Sequence, residues 1–204
     1  MEDGVDDVGA DAGEKLLSSL KSAGCGRIQV HGIGGAALAG TFTVDLSFRG
    51  NVTNGAAVKF YRDAGFSEIG LSPELPAGGI RALEKVGPVS CIAYGRVPVM
   101  TLARCVLKEK NRRCRGCGGR SDFWKTDFCR GSLTDRMGAE FPVFGAGDCV
   151  NTVYNAVPVW MGDRLGELRG AVLRFMWTVE SPAEMQEVLR RYERGESGEG
   201  RRIQ

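Results

Sequence analysis

The chain has 204 residues, 43% of them apolar, which is enough for one domain with a packed core. Its 27 Lys and Arg nearly balance 25 Asp and Glu, so a formal charge of +2 gives no bulk attraction to nucleic acid or membrane. An odd count of seven cysteines argues against a disulfide framework, and the absence of a basic start before an apolar run or of ~18 successive apolar residues argues against a secretory leader and a membrane span, so a reduced, cytoplasmic protein is expected.

In chain order, residues 1–14 read as a disordered acidic arm: "EDGVDDVGADAGE" holds six acids, no base and few large apolar side chains. Five short β-rich runs follow, "RIQVHG", "TFTVDLSF", "SEIGLS", "VSCIAYG" and "AVLRFMWT", each bounded by Gly, Asn or Pro. After the second, "NGAAVKFYRDAG" sets Ala57, Phe60, Tyr61 and Ala64 at helical spacing and closes on Gly65. Near the end, "SPAEMQEVLRRYERG" predicts a helix with Ser181 as N-cap, Pro182 in the first turn, Glu184 completing a capping box and Gly195 as stop. Strands alternating with helices predict an α/β fold with a parallel sheet and flanking helices. Four or five such units fall short of the eight strands and ~250 residues of a closed barrel, so the fold is an open sheet or part of a barrel. The body covers residues 15–195, and residues 196–204 read as a disordered tail. The Gly-rich "HGIGGAALAG" lacks the GxGxxG spacing of a dinucleotide site.

Charge is concentrated locally: residues 104–120 carry seven Lys or Arg against the single acid Glu109. The same stretch contains Cys105, Cys114 and Cys117 in the pattern C-x8-C-x2-C, and Cys149 follows at a distance. A C-x2-C pair lets two sulfurs of one turn face the same ion, and Gly116 and Gly118 supply the backbone freedom. A fourth thiolate from another element closes the shell, and both zinc and a 4Fe-4S cluster use such Cys₄ sets. Cys129 competes with Cys149 for the fourth position. Arg104, Arg112, Arg113 and Arg115 either offset the charge of an anionic cluster or contact phosphates. Cys91, in "VSCIAYG", reads as a core residue, and Cys25 has no evident partner.

The series "GLSPELPAGGIRAL", "IAYGRVPVMTLARC", "CRGCGG", "LTDRMGAEFPV" and "CVNTVYNAVPVWMGDRLGELRG" resembles the C-terminal part of the collagenase-like peptidase family U thirty-two, over residues 30–194. The resemblance implies the C-terminal half of a (β/α)₈ TIM-type barrel with a cysteine-rich loop holding a 4Fe-4S cluster. By position, it implies Cys105, Cys114, Cys117 and Cys149 as ligands, with zinc as the alternative occupant. Some members of that family are classed as peptidases; others serve oxygen-independent hydroxylation of tRNA or rRNA bases or of the ubiquinone ring. RNA is therefore the expected partner and cluster-dependent hydroxylation the expected activity, with peptide hydrolysis and a non-catalytic subunit role as alternatives. Two departures stand out. An extra "RSDFWKTDFCRGS" puts Cys129 in an insertion, and the family's segment preceding "VHGIGGAALAG" has no counterpart, so a partner chain supplying the other barrel half is expected.

Three residues are candidates for a substrate pocket. Glu74 in "SPEL" follows a strand, where a carboxylate faces a barrel's site, or else begins the next helix as a first-turn acid. Arg96 in "YGR" and Arg136 in "LTDR" are suited to bidentate binding of carboxylate or phosphate, or to internal pairs such as Arg136 with Asp135 or Glu140. His31 is the one histidine, and neither HExxH nor GxSxG occurs, so hydrolysis lacks a recognisable nucleophile, base or catalytic zinc motif.

Overall fold

The computed structural model describes residues 10–111, 130–145, 149–198 and Gly200. Five strands, β1 (Arg27–Val30), β2 (Thr43–Leu46), β3 (Glu68–Gly70), β4 (Val89–Gly95) and β10 (Ala171–Met176), pair in parallel in the order β1-β2-β3-β4-β10. They are the five β-rich runs of the sequence. The sheet curls into half of a TIM-like barrel with flanking helices. The helices α1 (Ala10–Ser22), α2 (Ile33–Leu38), α3 (Gly55–Asp63), α4 (Ala77–Glu84) and α6 (Pro182–Glu193) lie between or beside the strands.

Alternation along the strands decides what each face buries. Val30, Val44, Leu46, Ile69, Val89, Cys91 and Ala93 join the core beside Val58 of α3 and Ala77, Ile80 and Leu83 of α4. Leu46, Ile69 and Val58 are completely buried. The opposite face carries charge: Arg27 meets Asp45 bidentately at 2.6 and 2.8 Å, and Arg174 reaches Ser90 at 3.1 Å, Asp45 at 3.6 Å and Glu68. This ionic layer ties β1, β2, β3, β4 and β10 together where a closed barrel would present interior side chains. The hydrogen bond and charge of Asp45 raise the Arg27 pKa above its ordinary value.

Local details explain the helices. Asn54 caps α3 by accepting the Ala57 N–H at 2.9 Å, and Gly65 ends it with φ +93°. The buried stripe is Val58 with Ala57 and Tyr61 half-buried, whereas Phe60 is 56% exposed and Ala64 exposed, one step round from the expected face. Ser181 and Glu184 form the expected capping box on α6. Tyr192 of α6 donates to the Ala93 carbonyl and accepts the Met161 N–H at 2.9 Å, anchoring the helix to β4. Helix α1 begins at Ala10, inside the stretch expected as an arm, and beyond residue 195 the Glu196 carbonyl accepts the Trp160 indole N–H at 3.0 Å.

A second sheet is inserted between β4 and β10. Strands β5 (Pro98–Leu102), β6 (Arg130–Thr134), β7 (Glu140–Gly145) and β8 (Asn151–Tyr154) pair antiparallel in the order β5-β8-β7-β6, and β9 (Val159–Trp160) returns the chain to the end of β4. The one-turn-and-a-half helix α5 (Val106–Asn111) follows β5. Leu107, Val143 and Val153 form a small core of their own.

Candidate functional site

Two features occupy neighbouring positions, a groove at the mouth of the half-barrel and a thiol-bearing edge of the second sheet. The groove, of about 440 Å³, is bounded by residues 48–51 after β2, 72–74 after β3 and 98–101 of β5. It lies at the C-terminal ends of the parallel strands, the end at which barrels of this architecture place their chemistry. Ser47 holds the first loop: its hydroxyl lies 2.7 Å from His31 Nδ1 and accepts the Arg49 N–H at 3.2 Å. Asn51, in the left-handed region at φ 48°, closes the turn. The Val52–Leu71 bridge and the 2.9 Å bond from the Ser72 N–H to the Val52 carbonyl stitch the second loop to the first.

Glu74 lies on this groove. Helix α4 starts at Ala77 with Pro76 as its cap, so Glu74 is in the loop ahead of the helix rather than in its first turn. Arg96 is elsewhere: its Nη1 donates to the Asn155 carbonyl at 3.2 Å and to that of Ala156, fastening the parallel sheet to the chain beyond β8. Arg136 is exposed in the β6–β7 turn, where Asp135 accepts the N–H groups of Met137 and Ala139 and Glu140 accepts the Ser132 hydroxyl at 2.5 Å. Among the described residues Arg136 pairs with neither acid. The groove therefore gathers Glu74 but not Arg96 or Arg136, and adds Arg49, which sequence reasoning missed. The signal for Arg49 was its place immediately after the predicted run "TFTVDLSF".

The thiol edge follows from strand register. Leu102 at the end of β5 pairs with Asn151 at the start of β8, Gly145 at the end of β7 pairs with Asn151, and Arg130 at the start of β6 pairs with Phe144. Four strand ends thus share one edge. Cys105 leaves it after β5 and Cys149 enters it before β8, both as free thiols, the first half-buried and the second exposed. Asn151, 1% exposed, accepts the Val106 N–H at 2.8 Å and donates to the Val150 carbonyl at 2.9 Å, linking the two cysteine-bearing segments. Cys105 Sγ accepts the Lys108 N–H at 3.4 Å. Arg130 lies over the Phe144 ring at 5.2 Å, adding a cation to this edge.

Cys114, Cys117 and Cys129, with Arg112, Arg113 and Arg115, lie outside the described residues, between α5 and β6 in sequence. Among the described residues no cluster of three metal-ligating side chains occurs, and only Cys105 and Cys149 of the expected set are described. These two fit a thiolate-bound group in chemistry and in their shared edge. Cys91 is 4% exposed, and burial, aided by the charge of Glu84, pushes its thiol up to about 12, which suits an inert core residue. Strand β5 connects the features: Thr101 lines the groove and Cys105 is four residues on, at most about 14 Å along the chain.

Comparison with protein-family models, with curated proteins and with solved structures finds no match to the chain. Among the described residues, no helix is long and apolar enough to cross a membrane.

Proposed function

We propose that the chain holds a 4Fe-4S cluster on Cys105, Cys114, Cys117 and Cys149 and serves oxygen-independent hydroxylation of an RNA base, in the manner of the U thirty-two family it resembles. The observation that supports this reading is the shared edge: Cys105 follows and Cys149 precedes strand ends that pair there, and Asn151 bonds the chain after Cys105 to the chain after Cys149. When bound, the cluster supplies one-electron chemistry. The protein's own residues hold the ligand segments in place, exclude solvent from the Leu107–Val143–Val153 core beneath them, and present a groove beside β5. The basic residues of 104–120 are suited to RNA phosphates.

Peptide hydrolysis has weaker support. The single histidine contacts Ser47, but that serine is completely buried and already accepts the Arg49 N–H, so it offers no accessible nucleophile. A partner chain is supported by the sheet itself, since β1 and β10 each have one neighbour among the described strands, and an unpaired parallel edge invites another strand.

Anaerobic purification tests the reading. About four irons and matching sulfide per chain are expected, lost in Cys117→Ser and Cys149→Ser and kept in Cys129→Ser. Stoichiometric zinc without iron would replace the redox role with a structural one. Iron-loaded protein that leaves RNA unmodified even with its complementary barrel half would remove the hydroxylase reading.

A further inference from the structure

We propose that the groove at the half-barrel mouth binds a single unstacked nucleotide, with Arg49 on its phosphate and Glu74 on the amino edge of its base. This deepens, and rests on, the RNA reading above. Arg49 and Glu74 are both exposed, both line the groove, and neither side chain has an ion-pair or hydrogen-bond partner among the described residues. Their backbones are nonetheless fixed, Arg49 through Ser47 and Glu74 through a 3.4 Å bond from its N–H to the Ser72 hydroxyl. The site thus offers one guanidinium and one carboxylate on a braced frame.

Asn51, Ser72 and Thr101 also line the groove, and the rest of its surface is apolar. Val99 and Met100 of β5 are 52% and 54% exposed along one side, with Pro73, Pro98 and Phe48 also on the groove. Such a surface accepts the face of a heterocycle, as proteins do when they recognise unstacked RNA bases. The volume of 440 Å³ falls within the ~300–1,000 Å³ of ligand pockets. Polarity fixes the orientation. An ionised carboxylate only accepts, so Glu74 selects an exocyclic amino group and repels phosphate, while Arg49 takes the phosphate. Cytosine and adenine present such an amino group, whereas uracil presents carbonyls on either side of its one N–H. A peptide strand fits less well, because Pro98 lacks the N–H that pairing along β5 would use.

The test uses the full chain and fluorescence anisotropy with short labelled oligocytidine and oligouridine, from low to moderate salt. Oligocytidine should bind about tenfold more tightly than oligouridine, and Glu74→Gln should abolish that preference. Arg49→Ala should weaken both and reduce the salt slope by about one. Both side chains are exposed, so thermal melts of the variants should match the parent. Binding unchanged in both variants but lost in Arg112→Glu with Arg113→Glu would overturn the groove assignment while leaving the RNA reading intact. No binding of either oligonucleotide would sink both, as would displacement of neither RNA but capture of a proline-rich peptide.

Discussion

The carboxamide of Asn151 holds the N–H of Val106 at 2.8 Å across 45 positions of sequence, so one buried side chain sets the spacing between the first turn after Cys105 and the strand after Cys149. Replacing it with Ala leaves that N–H without its acceptor and opens a small void beside β8. A loss of about 1–3 kcal/mol in apo stability is expected. Asn151→Asp keeps an acceptor for the Val106 N–H but loses the donor to the Val150 carbonyl and buries a carboxylate, so it should not recover that loss. If Asn151 positions the thiols, iron content after anaerobic reconstitution should fall in both variants, whereas equal iron in both and in the parent would confine Asn151 to folding.

The ionic layer on the helix-free face makes a prediction of sign. Glu68 is 6% exposed and its carboxylate meets Arg174, with Arg27 further off, so Arg174→Leu removes the nearer of its two cations and should cost about 1–3 kcal/mol in urea unfolding. Arg174→Leu combined with Glu68→Leu removes both charges, and the double variant should be more stable than the single one. A double variant weaker than Arg174→Leu alone would mean that Glu68 is stabilised chiefly by Arg27, 3.9 Å away.

The five parallel strands were legible because each is a compact run of β-formers between turn residues, and the alternating helices carried their own caps. The second sheet was not legible. Its strands bury little, Val143 and Val153 being their only completely or nearly buried apolar side chains among the described residues, and "RGSLT" reads as loop. On α3, the stripes 57/60/61/64 and 54/57/58/61 both satisfy helical spacing, and the bulk of Phe60 favoured the wrong one; the Asn54 cap and Val58 decide the orientation. Glu74 could be placed because it follows a strand end. Arg96 and Arg136 could not, because where an arginine reaches depends on contacts distant in sequence, such as the carbonyls of residues 155 and 156.

Alkaline pH should weaken the core through Cys91. Burial raises its folded-state pKa from 9.0 to about 12, so the folded state keeps a proton that the unfolded chain releases. Stability from this thiol is fully present below pH ~9 and is lost as pH rises toward 12, at a limiting slope of about 1.4 kcal/mol per pH unit. Tyr94, also raised to about 12 by burial and by Glu180, acts in the same direction above pH ~10. The difference between parent and Cys91→Ala in urea midpoints should therefore shrink from pH 8 to pH 11. A constant difference would indicate that the Cys91 thiol ionises as easily folded as unfolded.

Cys149 is held at φ 63°, in the left-handed region that a side chain with a Cβ enters at a cost of roughly 1–2 kcal/mol. Its thiol is exposed, so packing gives no evident return for that strain. A ligand role does, since the conformation is then retained for where it puts the sulfur. Glycine adopts the same backbone freely, which separates stability from ligation at a single position. In the metal-free protein, Cys149→Gly should raise stability by about 1 kcal/mol over the parent, and Cys149→Ser, which keeps the Cβ, should not. Both variants should fail to retain iron. A glycine variant that is less stable than the parent without metal would show that the Cys149 side chain contributes to the fold itself, and one that loads iron fully would remove Cys149 from the ligand set.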